Sequence, residues 1–359
     1  MTIVIVGAGP AGLAMARELQ RRGLPYRVLE RQAVGNSWLH HYERLHLHIP
    51  KQVSSLPDQP MPATYPQYPS AIQFRHYLAR YAEEQRLAIE TGVDVRHAAY
   101  DGNRWRFATS QGPVEADILV VATGIWSTPH RAHFRGQETF GGPILYASEY
   151  FNAFPFAKQR VLVIGAGNSG SEIAVDLAEH EVTTAIAIRD GVAFVSRPTN
   201  PLVMRAASWF LRTVPRPLAE RMLRRRDFSA IGLPLPPGSP LDHFPVVGYD
   251  LPEAVAAGRV RRYGGIARFA PGKVYFDDGR EYACDAIILA TGYRPTVDFV
   301  AHELRLDANG TPLVDREWRA IGNPRLYCVG FWYPTTEGWL QSIGRVARTA
   351  ARSIARQLR

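Results

Sequence analysis

Two stretches of the chain share one pattern of apolar and polar positions. Ile3-Val-Ile-Val-Gly-Ala-Gly is echoed near the middle of the chain by Val161-Leu-Val-Ile-Gly-Ala-Gly. Each predicts a buried strand running into a glycine turn, because four consecutive aliphatic residues leave no polar face. Helical spacing takes over after each turn, across Leu13–Arg22 in the first copy and Glu172–Glu179 in the second. A second repeated element, Asp117-Ile-Leu-Val-Val-Ala-Thr-Gly124 and Asp285-Ala-Ile-Ile-Leu-Ala-Thr-Gly292, reads as another buried strand closed by a tight turn. Near the end, Leu340, Ile343, Val346, Ala347, Ala350 and Ile354 recur at the spacing of one helix face, predicting a helix over Gly338–Leu358.

Repetition at this scale predicts two copies of one structural unit. The turns read Gly7-x-Gly9-x-x-Gly12, with Pro10 and Ala11 inside, and Gly165-x-Gly167-x-x-Gly170, with Asn168 and Ser169 inside. Between a strand and a helix this spacing is a dinucleotide fingerprint. The first glycine permits the turn, the second admits a pyrophosphate, and the third lets helix and strand pack closely. The N-terminal N–H groups of the helix then face the phosphates.

The copies differ at the end of their second strand. Eighteen residues after Gly12 stands Glu30, followed by Arg31; nineteen residues after Gly170 stands Arg189, followed by Asp190. A carboxylate at that place accepts hydrogen bonds from a free ribose 2′-hydroxyl, whereas a guanidinium binds a 2′-phosphate. The pair predicts FAD at the first site and NADPH at the second, with Asp190 an anion beside the phosphate position.

The expected fold is α/β, with two Rossmann-like dinucleotide-binding domains, the NADPH domain inserted into the FAD domain. Residues 1–155 and 286–359 are assigned to the FAD domain and 156–285 to the NADPH domain. Ala122, Thr123 and Gly124, with Thr291 and Gly292, are expected at the crossings between them. Within 200–245 eight prolines punctuate a helical stretch at Leu202–Phe210. It reads as an insert packing on its own domain, although Trp209, Phe210 and Leu211 among arginines also suit a membrane surface.

Composition narrows the class. With 359 residues, 46% hydrophobic and 21% charged, the chain has the makeup of a globular protein with more than one core. No apolar run approaches the ~18 residues of a membrane span, and no signal-peptide pattern precedes the first strand, so a cytoplasmic protein is expected. Two cysteines, Cys284 and Cys328, form no CxxC pair, which excludes a Cys-based zinc site and a dithiol redox centre; the histidines show no metal-ligand spacing. The net charge of +9 invites a nucleic-acid reading, yet only three of 42 basic residues are lysine, and the densest cluster, Arg221–Arg226, reads as one solvated helix surface. No nucleic-acid partner is expected.

The order of fingerprint, Ala-Thr-Gly, second fingerprint and Ala-Thr-Gly-Tyr resembles the flavin-containing monooxygenases. Tyr42-Glu-Arg-Leu-His-Leu-His-Ile-Pro-Lys-Gln52, Gly165-Ala-Gly-Asn-Ser-Gly-Ser-Glu172, Gly272-Lys-Val274 and Leu289-Ala-Thr-Gly-Tyr-Arg294 are similar to the YUCCA-type branch, which oxidatively decarboxylates indole-3-pyruvate to indole-3-acetate. The likeness spans nearly the whole chain. The family's identifying pattern stands here as Phe140-x-Gly142-x-x-x-Tyr146-x-x-x-Tyr150, with tyrosine in place of histidine, and a bulky Phe331–Gln341 stretch replaces a glycine-rich one.

The resemblance implies an NADPH-, FAD- and O2-dependent monooxygenase acting through a flavin C4a-(hydro)peroxide on a small molecule, the candidate substrates being a 2-oxo acid, a sulfide or an amine. An NADPH oxidase releasing hydrogen peroxide is the alternative. The cofactor does the difficult chemistry while the protein positions it and excludes water. His48 falls where the family's Tyr-x-x-Leu-x-x-Asn pattern has its asparagine, and is the catalytic candidate. Trp38 and Gln52 are expected to line the same cavity. The start of the last helix, with Leu340 and Gln341, is expected to aim backbone N–H groups at flavin N1/O2. Lys51 and Arg44 are candidates to steer a substrate carboxylate, the alternative being that their side chains point to solvent.

Overall fold

The computed structural model describes residues 2–222, 226–239, 241–242, 244–331 and 339–358, apart from the side chains of 211, 212, 222, 339 and 341. The chain divides into two compact units. The first comprises Met1–Leu39, Ile49–Thr128 and Tyr293–Arg359; the second comprises His40–His48 and Pro129–Gly292.

Both units are built on a five-stranded, fully parallel sheet with the fingerprint strand at its centre. In the first unit Ile3–Val6 lies between Tyr26–Glu30 and Ile118–Val121, with Ile89–Thr91 and Leu326–Cys328 outermost. In the second, Arg160–Ile164 lies between Thr183–Ala187 and Ala286–Leu289, with Val260–Tyr263 and Ile144–Tyr146 outermost. Strands buried on both faces need continuous apolar runs, which is what Ile118–Val121 and Ala286–Leu289 supply. The acid that opens each repeated Asp-…-Ala-Thr-Gly element anchors the lead-in to the central strand. Asp117 accepts the N–H of Thr2 at 2.5 Å, and Asp285 that of Arg160 at 2.8 Å.

The repeat extends further than the motifs. A three-stranded antiparallel sheet precedes the second repeated element in both units, Val95–Tyr100 to Gly112–Ala116 in one and Ile266–Ala270 to Glu281–Ala283 in the other. Trp105 and Phe107 cover Val4, Val6, Leu119 and Val121; Phe269 and Phe276 likewise cover Leu162, Ile164, Ile287 and Leu289. The opposite face of the second sheet is covered by Ile173, Val175 and Leu177 of the fingerprint helix Asn168–Glu179.

The boundaries expected at 156 and 286 are corrected. Residues 129–155 belong to the second unit, because Ile144–Tyr146 supplies its edge strand and Tyr150, Ala153 and Phe156 join its core. Residues 40–48 do so too, since Tyr42 is buried in that core, and the second repeated strand, Ala286–Leu289, stays with it. The Phe140/Gly142/Tyr146/Tyr150 pattern is thus internal to the second unit. A Cβ at Gly142 would stand 2.5 Å from the Asp285 carbonyl oxygen, and the Tyr150 hydroxyl donates to Asp176 at 2.5 Å.

The insert forms a helix, Pro201–Thr213, capped by Asn200, whose side chain accepts from the N–H groups of Leu202 and Val203. Its Ser208 is buried and its Met204 half-buried, as for an insert packed on its own domain, while Trp209 and Phe210 are exposed. Residues 223–225 of the arginine cluster lie outside the described residues, as do 332–338 of the bulky stretch. Among the described residues no helix is long and apolar enough to cross a membrane.

Candidate functional site

The glycines of the two fingerprints divide by what the surrounding protein demands of them. Gly7 and Gly165 have φ of +104° and +105°, and a Cβ on either would meet a carbonyl oxygen, that of Ala122 at 2.7 Å or Ala290 at 2.4 Å. On Gly12 and Gly170 it would stand 1.9 and 2.0 Å from the Gly7 and Gly165 carbonyl oxygens. These four are required by the fold alone. Gly9 and Gly167 are different: ordinary φ of −80° and −70°, and no protein atom within 4 Å of an added Cβ. The protein leaves open the position through which a pyrophosphate approaches.

The helices beginning at Pro10 and Asn168 have no side-chain cap and no acidic residue in their first turn, so their leading N–H groups are left for an anion. Both turns therefore fit a dinucleotide. Ala11 is buried and Ala122 stands against Gly7, closing the back of the first turn.

Glu30 does more than await a ribose. Its carboxylate accepts the N–H of Ala8 at 2.7 Å and that of Gln32 at 2.9 Å, which ties the strand end to the glycine turn. Each oxygen keeps a second lone pair for a 2′-hydroxyl. The following loop is fastened to the same turn, Gly35 donating to the Ala8 carbonyl at 3.1 Å and Trp38 to Gly35 at 3.0 Å. Trp38 itself meets Phe74 edge-on at 4.5 Å. Arg31 and Gln52 are exposed. Arg75, which sequence reasoning passed over, packs beside Gly35 and has a buried Nε with no hydrogen-bond partner. Its signal was weak, one of two arginines in a helix with polar and apolar positions mixed.

The Ala-Thr-Gly hydroxyls are used locally. Thr123 donates to the Thr296 carbonyl at 2.5 Å and Thr291 to that of His130 at 2.8 Å, while Gly124 and Gly292 hold positive φ. The last helix spans Trp339–Gln357; Leu340 is buried within it, and Gln341 lies in its first turn with its side chain outside the described residues.

In the second unit Asn168 holds a neighbouring segment, accepting the N–H of Val247 at 2.9 Å and donating to the Pro245 carbonyl at 3.4 Å. Ser169 follows it, half-buried. Arg189 projects into solvent, its side chain 82% exposed, with Nε 2.5 Å from Asp190. On the adjoining strand Arg262 has a buried Nε without a hydrogen-bond partner; burial and the charge of Arg280 lower its pKa, and a bound anion would relieve both.

His48 belongs to the same unit and is one member of a partly buried cluster. Its Nε2 is 2.8 Å from Glu172 Oε1, and the Tyr42 hydroxyl donates to Glu172 Oε2 at 2.8 Å. Glu172 lies in the fingerprint helix five residues after Gly167. Burial raises its pKa, but the hydrogen bonds from His48 and Tyr42 and the charges of His48 and Arg197 outweigh it, leaving the carboxyl below its ordinary value. With Nε2 engaged as donor, the neutral imidazole carries its lone pair on Nδ1. Sequence reasoning named His48 and missed its partner, although Glu172, the acid just before the apolar run Ile173–Val175, was a signal. His46 takes no part, its Nδ1 meeting the Arg44 carbonyl at 2.8 Å.

Two expected substrate-steering cations are already occupied. Lys51 Nζ donates to the carbonyls of Pro62 at 3.0 Å, Ala63 at 2.8 Å and Tyr65, filling all three of its donor positions. Arg44 is paired with Glu179. Both cysteines are buried, and burial pushes the Cys284 thiol up to about 12, so it stays protonated at neutral pH.

Comparison with known proteins bears on the same features. The family described as pyridine nucleotide-disulphide oxidoreductase matches residues 4–205. The chain is similar to indole-3-pyruvate monooxygenase YUCCA1 of Oryza sativa subsp. japonica, with 36% identity over 91% of this chain and 86% of that protein. The probable indole-3-pyruvate monooxygenase YUCCA7 of Arabidopsis thaliana is 34% identical over 91% of this chain and 82% of its own. Among solved structures, a flavin-containing monooxygenase from Stenotrophomonas maltophilia matches with a TM-score of 0.81 and 26% identity, covering 100% of this chain and 99% of that one.

Proposed function

The chain belongs to the YUCCA-type flavin-containing monooxygenases, flavoprotein oxidoreductases that use FAD and NADPH, and we propose that it oxidatively decarboxylates a small aromatic 2-oxo acid. The observation that carries the cofactor part of this reading is the open space at Gly9 and Gly167, in two turns whose other glycines the fold itself demands. The substrate part rests on relatives named for indole-3-pyruvate that match nine-tenths of the chain.

The roles follow from the residues. The first unit holds FAD through the Gly7–Gly12 turn and Glu30; the second holds NADPH through the Gly165–Gly170 turn and Arg189. Bound there, FAD would supply hydride acceptance from NADPH and electron transfer to dioxygen, chemistry that requires no protein nucleophile or metal. His48, fixed by Glu172, accepts or returns a proton at Nδ1. Since Lys51 and Arg44 are engaged elsewhere, the carboxylate of a 2-oxo acid is met by other groups.

Purified holoenzyme given NADPH and oxygen is tested against 2-oxo acids, sulfides and amines, with product mass and hydrogen peroxide both measured. A decarboxylated acid from the 2-oxo acids alone is the expected result. Oxygenated sulfides or amines alone overturn the substrate assignment, and peroxide equal to NADPH across the panel means an oxidase.

Coenzyme preference follows from Arg189. NADPH is expected to be preferred over NADH, and Arg189→Gln to raise the KM for NADPH by roughly 10- to 150-fold, the worth of one charged hydrogen-bonded contact of ~1.5–3 kcal/mol, with NADH nearly unaffected. Asp190→Ala releases the guanidinium and is expected to sharpen the preference. Steady-state kinetics with both coenzymes checks this, and equal use of the two by the parent enzyme would mean that Asp190 cancels the arginine.

A further inference from the structure

The helix Pro201–Thr213 turns an apolar stripe outward. Leu202, Ala206 and Trp209 lie along one line at helical spacing, flanked by Val203 and Phe210, and all five are exposed, Leu202 by 72% and Trp209 by 61%. The buried Ser208 and half-buried Met204 mark the side that faces the protein. The next helix, Arg216–Met222, adds an exposed Leu218. Single exposed hydrophobes are normal on a protein surface, but five large ones within seventeen residues are a patch.

The sequence around the patch carries a net positive charge. Residues 201–227 contain seven arginines against two acids, Glu220 and Asp227, a formal excess of five positive charges, and the helix itself has no acid; Arg224 and Arg225 lie outside the described residues. Arg216 is held by Glu220 at 2.8 Å and by Asp242 at 2.6 Å.

We propose that this surface docks on the interface of an anionic lipid bilayer. A second copy of the chain would match the apolar stripe but would bring two arginine-rich borders together. A nucleic acid would match the arginines and leave Leu202, Val203 and Leu218 against water or phosphate. An anionic membrane surface takes both, the apolar residues among acyl chains and the arginines among headgroups. At 1.5 Å per residue the helix is ~20 Å long, short of the ~30 Å hydrocarbon core, so it lies on the bilayer and does not cross it. The Asn200 cap and Pro201 in the first turn fix the helix beforehand, so little ordering is required on docking.

The test uses the full-length FAD-loaded protein and flotation with vesicles of phosphatidylcholine alone or with phosphatidylglycerol added, at low and high salt. Binding is expected with phosphatidylglycerol, weakened by salt, and reduced at least ~10-fold in the Trp209→Gln/Phe210→Gln variant. Both side chains are exposed, so the variant is expected to keep its FAD content and its NADPH oxidation in vesicle-free buffer, which controls for misfolding. Three results overturn the proposal: no enrichment on anionic vesicles, undiminished binding of the variant, or concentration-dependent dimerisation in sedimentation that the variant abolishes while vesicle binding is absent.

Discussion

Gly12→Ala is expected to cost the first unit about 4 kcal/mol or more, enough to lose most folded protein, whereas Gly9→Ala, three residues away, leaves folding alone and weakens flavin binding. The contrast follows from the two sites. A Cβ on Gly12 would sit 1.9 Å from the Gly7 carbonyl oxygen, so the helix Pro10–Gln20 must lift from the strand Ile3–Val6. On Gly9 the added methyl meets no protein atom, at a φ of −80° that alanine adopts freely. Relief of backbone entropy and the poorer helix cap nearly offset each other, so apoprotein stability stays within about 1 kcal/mol. FAD then has to pass a methyl where its pyrophosphate approaches backbone, and affinity is expected to fall roughly 10- to 100-fold, about 1.4–2.8 kcal/mol. Thermal unfolding of apoprotein and FAD titration separate the two effects. A Gly9→Ala protein that holds FAD as tightly as the parent would remove the physical basis for placing the dinucleotide at this turn.

The doubled architecture was legible because the requirements behind it are local. A glycine forced by a carbonyl 2 Å from its missing side chain, or an aspartate anchoring the lead-in to a central strand, leaves its mark within a few residues. The third repeated feature, the antiparallel sheet before each Ala-Thr-Gly strand, was hidden because its alternation is irregular: Val95-Arg-His-Ala-Ala-Tyr100 includes a register shift between Val95 and His97. Boundaries were misplaced for a different reason. The edge strand Ile144–Tyr146 finds its partner in Ala286–Leu289, about 140 residues on, and no pattern in either strand names the other. The same distance hid the candidate site's inner partner, since Tyr42 and His48 lie more than a hundred residues from Glu172. Side-chain availability is the least legible property of all. Lys51 reads as a free cation in sequence and is consumed by three carbonyls of the loop it folds against.

His48→Leu is expected to destabilise the second unit by about 3 kcal/mol and to reverse the sign of its acid pH dependence. In the parent, the carboxyl of Glu172 titrates below its ordinary value of 4.5, so its contribution is fully present above that value and is lost as pH falls through the lower folded value. Removing His48 leaves only the Tyr42 hydroxyl at 2.8 Å and the charge of Arg197 to set against the burial of the carboxylate. Burial then prevails and the folded-state value rises above 4.5, so stability is present in acid and is lost as pH increases toward neutrality. Glu172→Gln keeps the volume and an acceptor for Tyr42 without a charge, and costs less, ~1–2 kcal/mol, with little acid dependence from this site. In the double variant the buried charge is absent, so the two losses are not additive, and the cycle is expected to show a coupling of about 2 kcal/mol. Denaturant unfolding between about pH 4 and 7 measures all four proteins. Catalysis provides the second axis. His48→Gln is expected to lose turnover if His48 handles a proton at Nδ1, while Glu172→Gln, which leaves the imidazole in place, keeps most of it. Turnover unchanged in both variants, with the stability changes intact, would assign the cluster to packing alone.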